Sequence, residues 1–239
     1  MASPLSPKCP YLRPPVGQRE GIPDFLIGDV DGLNEKYMGF YDRIAPLYKA
    51  ANVLQAPIIR RQARTMFDLT PVVDGDRVLE TSVGQGDWFR HLAVKAPHAE
   101  FCGLDLSWGM LKICRRNLRR WGVHAELAHG NAEDLPYVDG YFDVVYHVGG
   151  INYFNDKAAA IAEMVRVAKP GARLMIVDES AEHVRKLYQR LPIVRRYYQG
   201  ADDEAATSAP VDHVPAGMLD VKTELMFANR FYRLTFKKP

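Results

Sequence analysis

The chain has 239 residues, of which 47% are hydrophobic and 25% are charged, and its formal net charge is +2. These values are ordinary for a globular protein of one large domain, or of one domain with a cap. The sequence contains no run of 18 apolar residues, which argues against an integral membrane segment, and no basic-then-apolar export signal, so we expect a cytoplasmic protein.

The three cysteines are Cys9, Cys102 and Cys114. An odd count without paired spacing argues against a disulfide framework and against a zinc site. We therefore expect free thiols in a reducing compartment and no bound metal.

Residues 1–30 form a proline-rich arm that contains six prolines. Proline lacks the amide donor that helices and sheets need, so this density predicts an extended arm. The rest of the chain, residues 31–239, is expected to form a single domain. Within it, residues 31–70 are expected to be helical, because Phe40 and Ile44 begin an apolar stripe with helical spacing.

The stretch from residue 76 to residue 105 carries the clearest chemical signal. An apolar run beginning at Val78 ends in a turn around Gly84 and Gly86, and a second apolar run ends at Asp105. This order predicts a strand, a glycine turn, a helix and a strand, which together hold a nucleotide-like ligand at the carboxyl ends of parallel strands. Glycine lets the backbone approach the ligand, and an acid about twenty residues later can hold both hydroxyls of a ribose.

A dinucleotide cofactor would require a third glycine, which packs the helix on the strand. Phe89 stands at that position. An oxidoreductase that uses a dinucleotide is therefore a disfavoured alternative.

The pattern Glu80-x-Ser82-x-Gly84-x-Gly86 resembles the first motif of class I S-adenosylmethionine-dependent methyltransferases. The family usually has glycine where this chain has Ser82. Serine is also small, so we expect tighter packing at this turn and a functional site.

Ser107 follows as a good N-cap of the next helix, which has a buried stripe that includes Leu111 and Leu118. Five Lys or Arg residues between positions 112 and 120 lie mostly off this stripe. They could contact nucleic acid. The near-neutral total charge and the absence of other supporting motifs favour a solvated helix face, so we expect no nucleic-acid partner.

Two later segments resemble the same family. Residues 130–137 are similar to its loop that borders adenine, with Asn131 in place of aspartate; the amide oxygen can still accept a hydrogen bond. Residues 163–178, which include Lys-Pro-Gly at 169–171, are the most specific match and have no counterpart in dinucleotide dehydrogenases. Before this segment, Asn155 is the candidate N-cap of a helix.

Residues 41–48 resemble the N-terminal segment of ubiquinone and menaquinone biosynthesis methyltransferases. In that family the segment closes over the cofactor. A lid suits the chemistry, because water has to be kept from the sulfonium centre.

Residues 142–148 are nearly all apolar, as expected of a buried parallel strand whose carboxyl end faces the ligand. His147 lies at that end and titrates near neutrality, so it is our first candidate for a general base. Glu179 and His183, which follow the fifth predicted strand, are weaker candidates. Residues 180–217 are expected to cap the substrate pocket.

The resemblance spans roughly residues 37–180 and implies a Rossmann-like class I methyltransferase fold of the α/β class, with a seven-stranded, mostly parallel sheet and helices on both faces. It implies S-adenosyl-L-methionine as cofactor and methyl transfer to a small-molecule acceptor, which is quinone-like or a secondary metabolite with an O, C or N nucleophile. The alternatives on this fold are a non-methylating cyclase and a binding protein, and the oligomeric state is expected to be a monomer or a homodimer. The residues expected to contact the cofactor are Tyr41, Glu80, Ser82, Gly84, Gly86, Asp105, Leu106, Met110, Asn131, Ala132 and His147.

Overall fold

The computed structural model of the protein describes residues 9–39, 42, 65–190 and 208–239. In these ranges nine strands form one sheet with helices on both of its faces. The strands are β1 (Gly17–Arg19), β2 (Ile22–Asp24), β3 (Arg77–Glu80), β4 (Glu100–Asp105), β5 (Ala125–His129), β6 (Phe142–Val148), β7 (Ala168–Glu179), β8 (Leu219–Met226) and β9 (Phe231–Lys237). The helices are α1 (residues 32–39), α2 (Asp87–Lys95), α3 (Trp108–Trp121), α4 (Lys157–Val167) and α5 (Ala181–Arg190).

The strand order is β1-β2-β5-β4-β3-β6-β7-β9-β8. Strands β5, β4, β3, β6 and β7 run parallel, and β9 is antiparallel to both of its neighbours, β7 and β8. The expected mostly parallel sheet is thus present as the seven strands β3 to β9. Two short N-terminal strands extend it.

The sheet is buried between two apolar layers. Helices α2 and α3 pack on one face, where Phe89 and Leu111 are fully buried against β3 residues such as Val78. Helix α4 packs on the other face, where Ile161 is fully buried against Leu79. Because both faces are covered, the central strands are mostly apolar, as parallel strands are.

The N-terminal arm differs from the expectation. Strands β1 and β2 form an antiparallel hairpin, and Asp24 of β2 pairs with His129 of β5. Glu20 and Gly21 turn the hairpin with φ values of 50° and 83°, the positive values that two-residue hairpin turns need. Pro23 is tolerated within β2, since this short strand lies near the edge of the sheet.

The cysteine pattern also misled the sequence analysis. Cys9 and Cys102, which are 93 positions apart in the sequence, are joined by a disulfide that ties the arm to β4. Such a separation leaves no local spacing signal, so only the fold brings the two thiols together. Cys114 is buried and free.

The N-cap of α4 is shifted by one residue from the expected position. Asp156 Oδ1 accepts a hydrogen bond of 2.8 Å from Ala159 N, while Asn155 holds the start of α1 by accepting from Leu33 N at 2.9 Å. In contrast, Ser107 caps α3 as predicted, with its hydroxyl accepting from Met110 N at 3.1 Å.

No helix in the described part of the chain has the length and apolarity needed to cross a bilayer. Among the same residues, no group of three or more His, Cys, Asp or Glu side chains is arranged to hold a metal ion.

Candidate functional site

A pocket lies at the carboxyl ends of β3, β4, β5 and β6, where the turns that follow these strands meet. Helix α1 lies over it and contributes Asn34, Tyr37 and Met38 to its lining. Seven of the residues predicted to contact the cofactor line this pocket: Ser82, Gly84, Asp105, Leu106, Met110, Asn131 and Ala132.

Asp105, the last residue of β4, contributes a carboxylate to the wall of the pocket. Its Oδ2 accepts a hydrogen bond of 2.7 Å from Gly84 N, and its Oδ1 accepts one of 2.8 Å from Ser107 N. Burial raises the pKa of Asp105 to about 6, although the two backbone hydrogen bonds act in the opposite direction. Each carboxylate oxygen retains acceptor capacity for a ligand hydroxyl.

The two glycines of the turn after β3 have different roles. Gly84 has a φ of 52° and lines the pocket, and a Cβ built on it would have no neighbour within 4 Å. Gly86 does not line the pocket; a Cβ there would lie 2.9 Å from Cys114 Sγ. Gly84 thus leaves the backbone open toward the pocket, whereas Gly86 allows α3 to pack closely.

Ser82 stands where the resembled family has glycine. Its hydroxyl donates a hydrogen bond of 3.2 Å to the carbonyl oxygen of Gly149, in the loop after β6. The serine thus joins two walls of the pocket.

Glu80 lies beneath the pocket and is fully buried. Its Oε2 accepts a hydrogen bond of 2.9 Å from the Tyr146 hydroxyl. Burial raises its pKa well above the ordinary value. The structure therefore does not place Glu80 in contact with the pocket, contrary to the expectation of a direct cofactor contact.

The roof of the pocket is held down by polar and aromatic contacts. The ring of Tyr37 stacks on Tyr153 with centroids 4.3 Å apart, and Asn34 Nδ2 donates a hydrogen bond of 2.9 Å to Glu133 Oε1. Glu133 N in turn donates a hydrogen bond of 3.0 Å to Asn131 Oδ1. The Asn131 oxygen that was expected to face adenine therefore also closes a turn.

Asp42, which is also helical, fixes this part of the chain to the body of the protein. Its Oδ1 accepts hydrogen bonds from Ser107 Oγ at 2.5 Å and from Gly109 N at 2.7 Å, at the start of α3. The sequence did not reveal this role, although Asp42 lies within the segment that resembles a lid. Tyr41 lies outside the described residues.

Asp178, near the end of β7, organises the loop after β6. Its Oδ2 accepts hydrogen bonds from Gly150 N at 3.0 Å and Asn152 N at 2.9 Å. Burial raises its pKa to about 6. This buried carboxylate was also missed by the sequence analysis, because an aspartate at a strand end carries no distinctive pattern.

His147 lies behind residues that line the pocket, with its ring 5.1 Å from that of Phe154. Its ring is fully buried and is not part of the pocket lining, and its Nδ1 shares a hydrogen bond of 3.0 Å with Thr81 Oγ1. Burial lowers the pKa of His147 to about 3. A general base has to reach the proton that it takes, so the geometry does not support the base or cofactor-contact roles expected for His147.

Glu179 and His183 meet beyond the end of β7. Glu179 Oε1 lies 3.9 Å from His183 Nε2, and the Glu179 side chain is about 32% exposed. Burial and the charge of Asp178 raise the pKa of Glu179 to about 7. Asn152 Nδ2 donates a hydrogen bond of 2.8 Å to the main-chain carbonyl oxygen of Glu179, which links the end of β7 to the loop after β6.

Comparisons with known proteins agree with this architecture. Residues 78–171 match the methyltransferase domain family. A demethylmenaquinone methyltransferase of Listeria welshimeri is 33% identical over 153 residues, which cover 63% of this chain and 65% of the relative. The match thus spans slightly less than two thirds of the relative's length.

Two solved structures share the fold at low identity. A SAM-dependent methyltransferase from Aquifex aeolicus superposes with a TM-score of 0.56 at 15% identity, over 74% of this chain and 89% of that chain. The 4+2 cyclase SpnF superposes with a TM-score of 0.61 at 17% identity, over 89% and 98%. The expected Rossmann-like fold and the family resemblance are confirmed: residues 78–171 match the methyltransferase domain family and lie in a sheet of the type found in S-adenosylmethionine-dependent methyltransferases.

Proposed function

We propose that this protein transfers a methyl group from S-adenosylmethionine to a small-molecule acceptor. The observation that carries the proposal is the carboxylate of Asp105, which lies in the pocket wall beside the open backbone turn at Gly84. An acid at the end of the second parallel strand, next to a glycine turn, is suited to hold a ribose.

The other walls of the pocket fit the remaining parts of this cofactor. Leu106, Met110 and Ala132 offer an apolar surface for the adenine ring, and burying an aromatic ring against such side chains is favourable. The absence of any neighbour around a Cβ built on Gly84 leaves space at the turn. We infer that Ser82, Asn131 and the glycine turn complete the cofactor contacts.

The cofactor supplies a methyl group on a cationic sulfur, so the chain has little covalent work to do. Holding an acceptor in line with that carbon corresponds to effective molarities of about 10⁵–10⁸ M. Helix α1 and the Asp42 contact hold a cover over the pocket, and we propose that this cover keeps water from the reacting groups.

We propose Glu179 as the group that takes up a proton when the acceptor carries one. Its pKa of about 7 matches a base that works near neutral pH. Glu179 is the last residue of β7, and its main-chain carbonyl oxygen is hydrogen-bonded to Asn152, next to the pocket residue Tyr153. The Glu179 side chain is not part of the pocket lining, but it is about 32% exposed and can meet a proton donor, unlike the fully buried ring of His147. His183 Nε2 lies 3.9 Å from Glu179 Oε1. It is placed to stabilise the negative charge of the carboxylate or to receive the proton that the carboxylate takes up.

We infer that the acceptor is a quinone-like ring or a comparable small molecule with an O, C or N nucleophile. Support comes from the Listeria relative, which is named a demethylmenaquinone methyltransferase. Aromatic side chains at the acceptor side of the pocket, Tyr37, Tyr153 and Phe154, suit a flat ring.

Isothermal titration with S-adenosylmethionine, S-adenosylhomocysteine and NADH tests the ligand class. We expect binding of the first two and none of NADH, because Phe89 occupies the third glycine position and is packed 5.1 Å from Phe101. Binding of NADH alone would contradict the proposal.

Release of S-adenosylhomocysteine across a panel of quinols, phenols and amines tests turnover. Product formation with a quinol or phenol supports methyl transfer to a ring acceptor. Cofactor binding combined with rearrangement of a substrate and no release of S-adenosylhomocysteine would instead identify a cyclase.

A further inference from the structure

The imidazole of His129 joins the N-terminal hairpin to the turn after β4. His129 is 5% exposed at the end of β5. Its Nδ1 lies 2.9 Å from Asp24 Oδ1 on β2, and its Nε2 lies 3.0 Å from the carbonyl oxygen of Leu106. These contacts connect residues that are 105 and 23 positions apart in the chain.

Both partners of this ring are oxygen acceptors. A neutral imidazole has one N–H donor and one lone pair, so it can satisfy only one of the two. The imidazolium form has two N–H donors and satisfies both. The carboxylate of Asp24 supplies the opposite charge that a buried cation requires.

The surroundings of the ring are compatible with a cation. Trp108 meets it in an edge geometry at 5.7 Å. Arg19 lies 3.7 Å from the other oxygen of Asp24, but its side chain is 60% exposed, so water screens its charge. Asp24 Oδ1 also accepts from Leu26 N at 3.2 Å, which holds the carboxylate in place.

The carbonyl that His129 binds belongs to a pocket residue. Leu106 lines the pocket and directly follows Asp105, whose side chain is bonded to Ser107 N. Gly130 N, next to His129, also donates a hydrogen bond of 3.1 Å to the main-chain carbonyl oxygen of Asp105. The orientation of the residue 105–107 turn is therefore held from the side of β5.

We propose that His129 is a positioning residue of the cofactor site: as an imidazolium bridging Asp24 and the Leu106 carbonyl, it makes the N-terminal hairpin part of the support of the turn that carries Asp105. The hairpin then acts on ligand affinity without contacting the ligand. The inference rests on the proposed function for the identity of the ligand, S-adenosylmethionine.

The alternative is that the hairpin only covers apolar surface and has no effect on ligand affinity. A matched pair of variants separates the two. Asp24→Asn removes the charge that sustains the imidazolium. Asp134→Asn makes the same chemical change in another ion pair between arm and body, with Arg13 at 2.5 Å, which does not contact His129 or Leu106.

The experiment combines NMR with titration calorimetry on the full chain. At pH 7 we expect ¹⁵N-detected imidazole signals showing protons on both nitrogens of His129 in the unmodified protein. In Asp24→Asn one of these protons should be lost, the Ser107 amide signal should shift, and the dissociation constant for S-adenosylmethionine should rise about tenfold, the effect of losing one charge-assisted hydrogen bond. Asp134→Asn should change none of the three.

A single ring proton on His129 in the unmodified protein would overturn the proposal, and this result needs no variant to fold. Equal affinities and equal Ser107 signals in the two variants would also overturn it. If the unmodified protein binds neither S-adenosylmethionine nor S-adenosylhomocysteine, the proposed function fails, whereas the ring protons and the Ser107 signal still decide whether His129 positions the turn.

Discussion

The backbone N–H of Gly109 donates a hydrogen bond of 2.7 Å to the carboxylate of Asp42. This contact brings the segment after α1 against the first turn of α3, beside the residues that line the pocket. A Cβ built on Gly109 would lie 2.8 Å from Asp42 Oδ1 and 3.0 Å from Asp42 Cα. The close approach therefore requires glycine for reasons of space.

The first prediction concerns Gly109→Ala. The added methyl group should displace Asp42. Because alanine also favours a helix by about 1 kcal/mol over glycine, the loss of this contact is offset and thermal stability should change little. We expect affinity for S-adenosylmethionine to fall several-fold in calorimetry. Gly39→Ala, also in a helix and with no neighbour within 4 Å of a Cβ built on it, is the control, and equal affinities for the two variants would refute the role of this contact.

The second prediction concerns Asp105. We expect the two ribose hydroxyls of the cofactor to donate hydrogen bonds to the Asp105 carboxylate, each worth about 1.5–3 kcal/mol. Asp105→Asn should therefore weaken S-adenosylmethionine binding at least tenfold. Because burial raises the pKa of Asp105 to about 6, the ionised form is present above that pH and is lost below it. Affinity in the unmodified protein should therefore fall as the pH drops through about 6.

This pH dependence should be absent in Asp105→Asn. The exposed variant Asp74→Asn is the control and should behave as the unmodified chain does. Unchanged affinity in Asp105→Asn would rule out the ribose contact.

The third prediction concerns Glu179 as a base. Its pKa of about 7 means that the carboxylate form increases as the pH rises through neutrality, so single-turnover methyl transfer should accelerate over that range. Glu179→Gln should slow transfer by about 10²–10⁴-fold while leaving cofactor affinity within a few-fold. Glu182→Gln serves as the control, and persistence of the same ascending limb in Glu179→Gln would exclude Glu179 as its source.

The fourth prediction concerns His147. Since burial lowers its pKa to about 3, it cannot produce an ascending limb near neutral pH, and His147→Ala should leave the pH–rate profile unchanged. Removing a fully buried ring should instead lower the free energy of unfolding by about 2–4 kcal/mol in chemical denaturation. The exposed variant His98→Ala should be neutral, and loss of a limb near pH 6.5 in His147→Ala would restore the base role.

Several elements could be predicted because their signals are local. Strand β6 coincides with the apolar run at residues 142–148, and Ser107 caps α3, because hydrophobic period and side-chain capping depend on neighbouring residues. The glycine turn and the acid nineteen residues later were likewise readable, since a nucleotide-like ligand requires both at a set distance along one strand–helix–strand unit.

The contacts that complete the site could not be predicted in this way. The hydrogen bonds by which Asp178 holds the loop after β6 could not be predicted, because its partners Gly150 and Asn152 precede it by 28 and 26 residues. His147 looked suited to catalysis at the end of its strand. In the structure its ring is fully buried against Thr81 and Phe154, and in a strand buried on both faces the sequence carries no alternation that would show this.

The sequence by itself determined the type of fold and the position of the glycine turn that lines the pocket, because both depend on short patterns of apolar, glycine and acidic residues. Tertiary structure alone decided that the N-terminal arm pairs with β5, that Cys9 meets Cys102, and that Asp24 reaches His129. The physical reason is distance along the chain. Contacts between residues about one hundred positions apart form only when the sheet has brought strand ends together, and neither hydrophobic period nor turn propensity encodes which ends will meet.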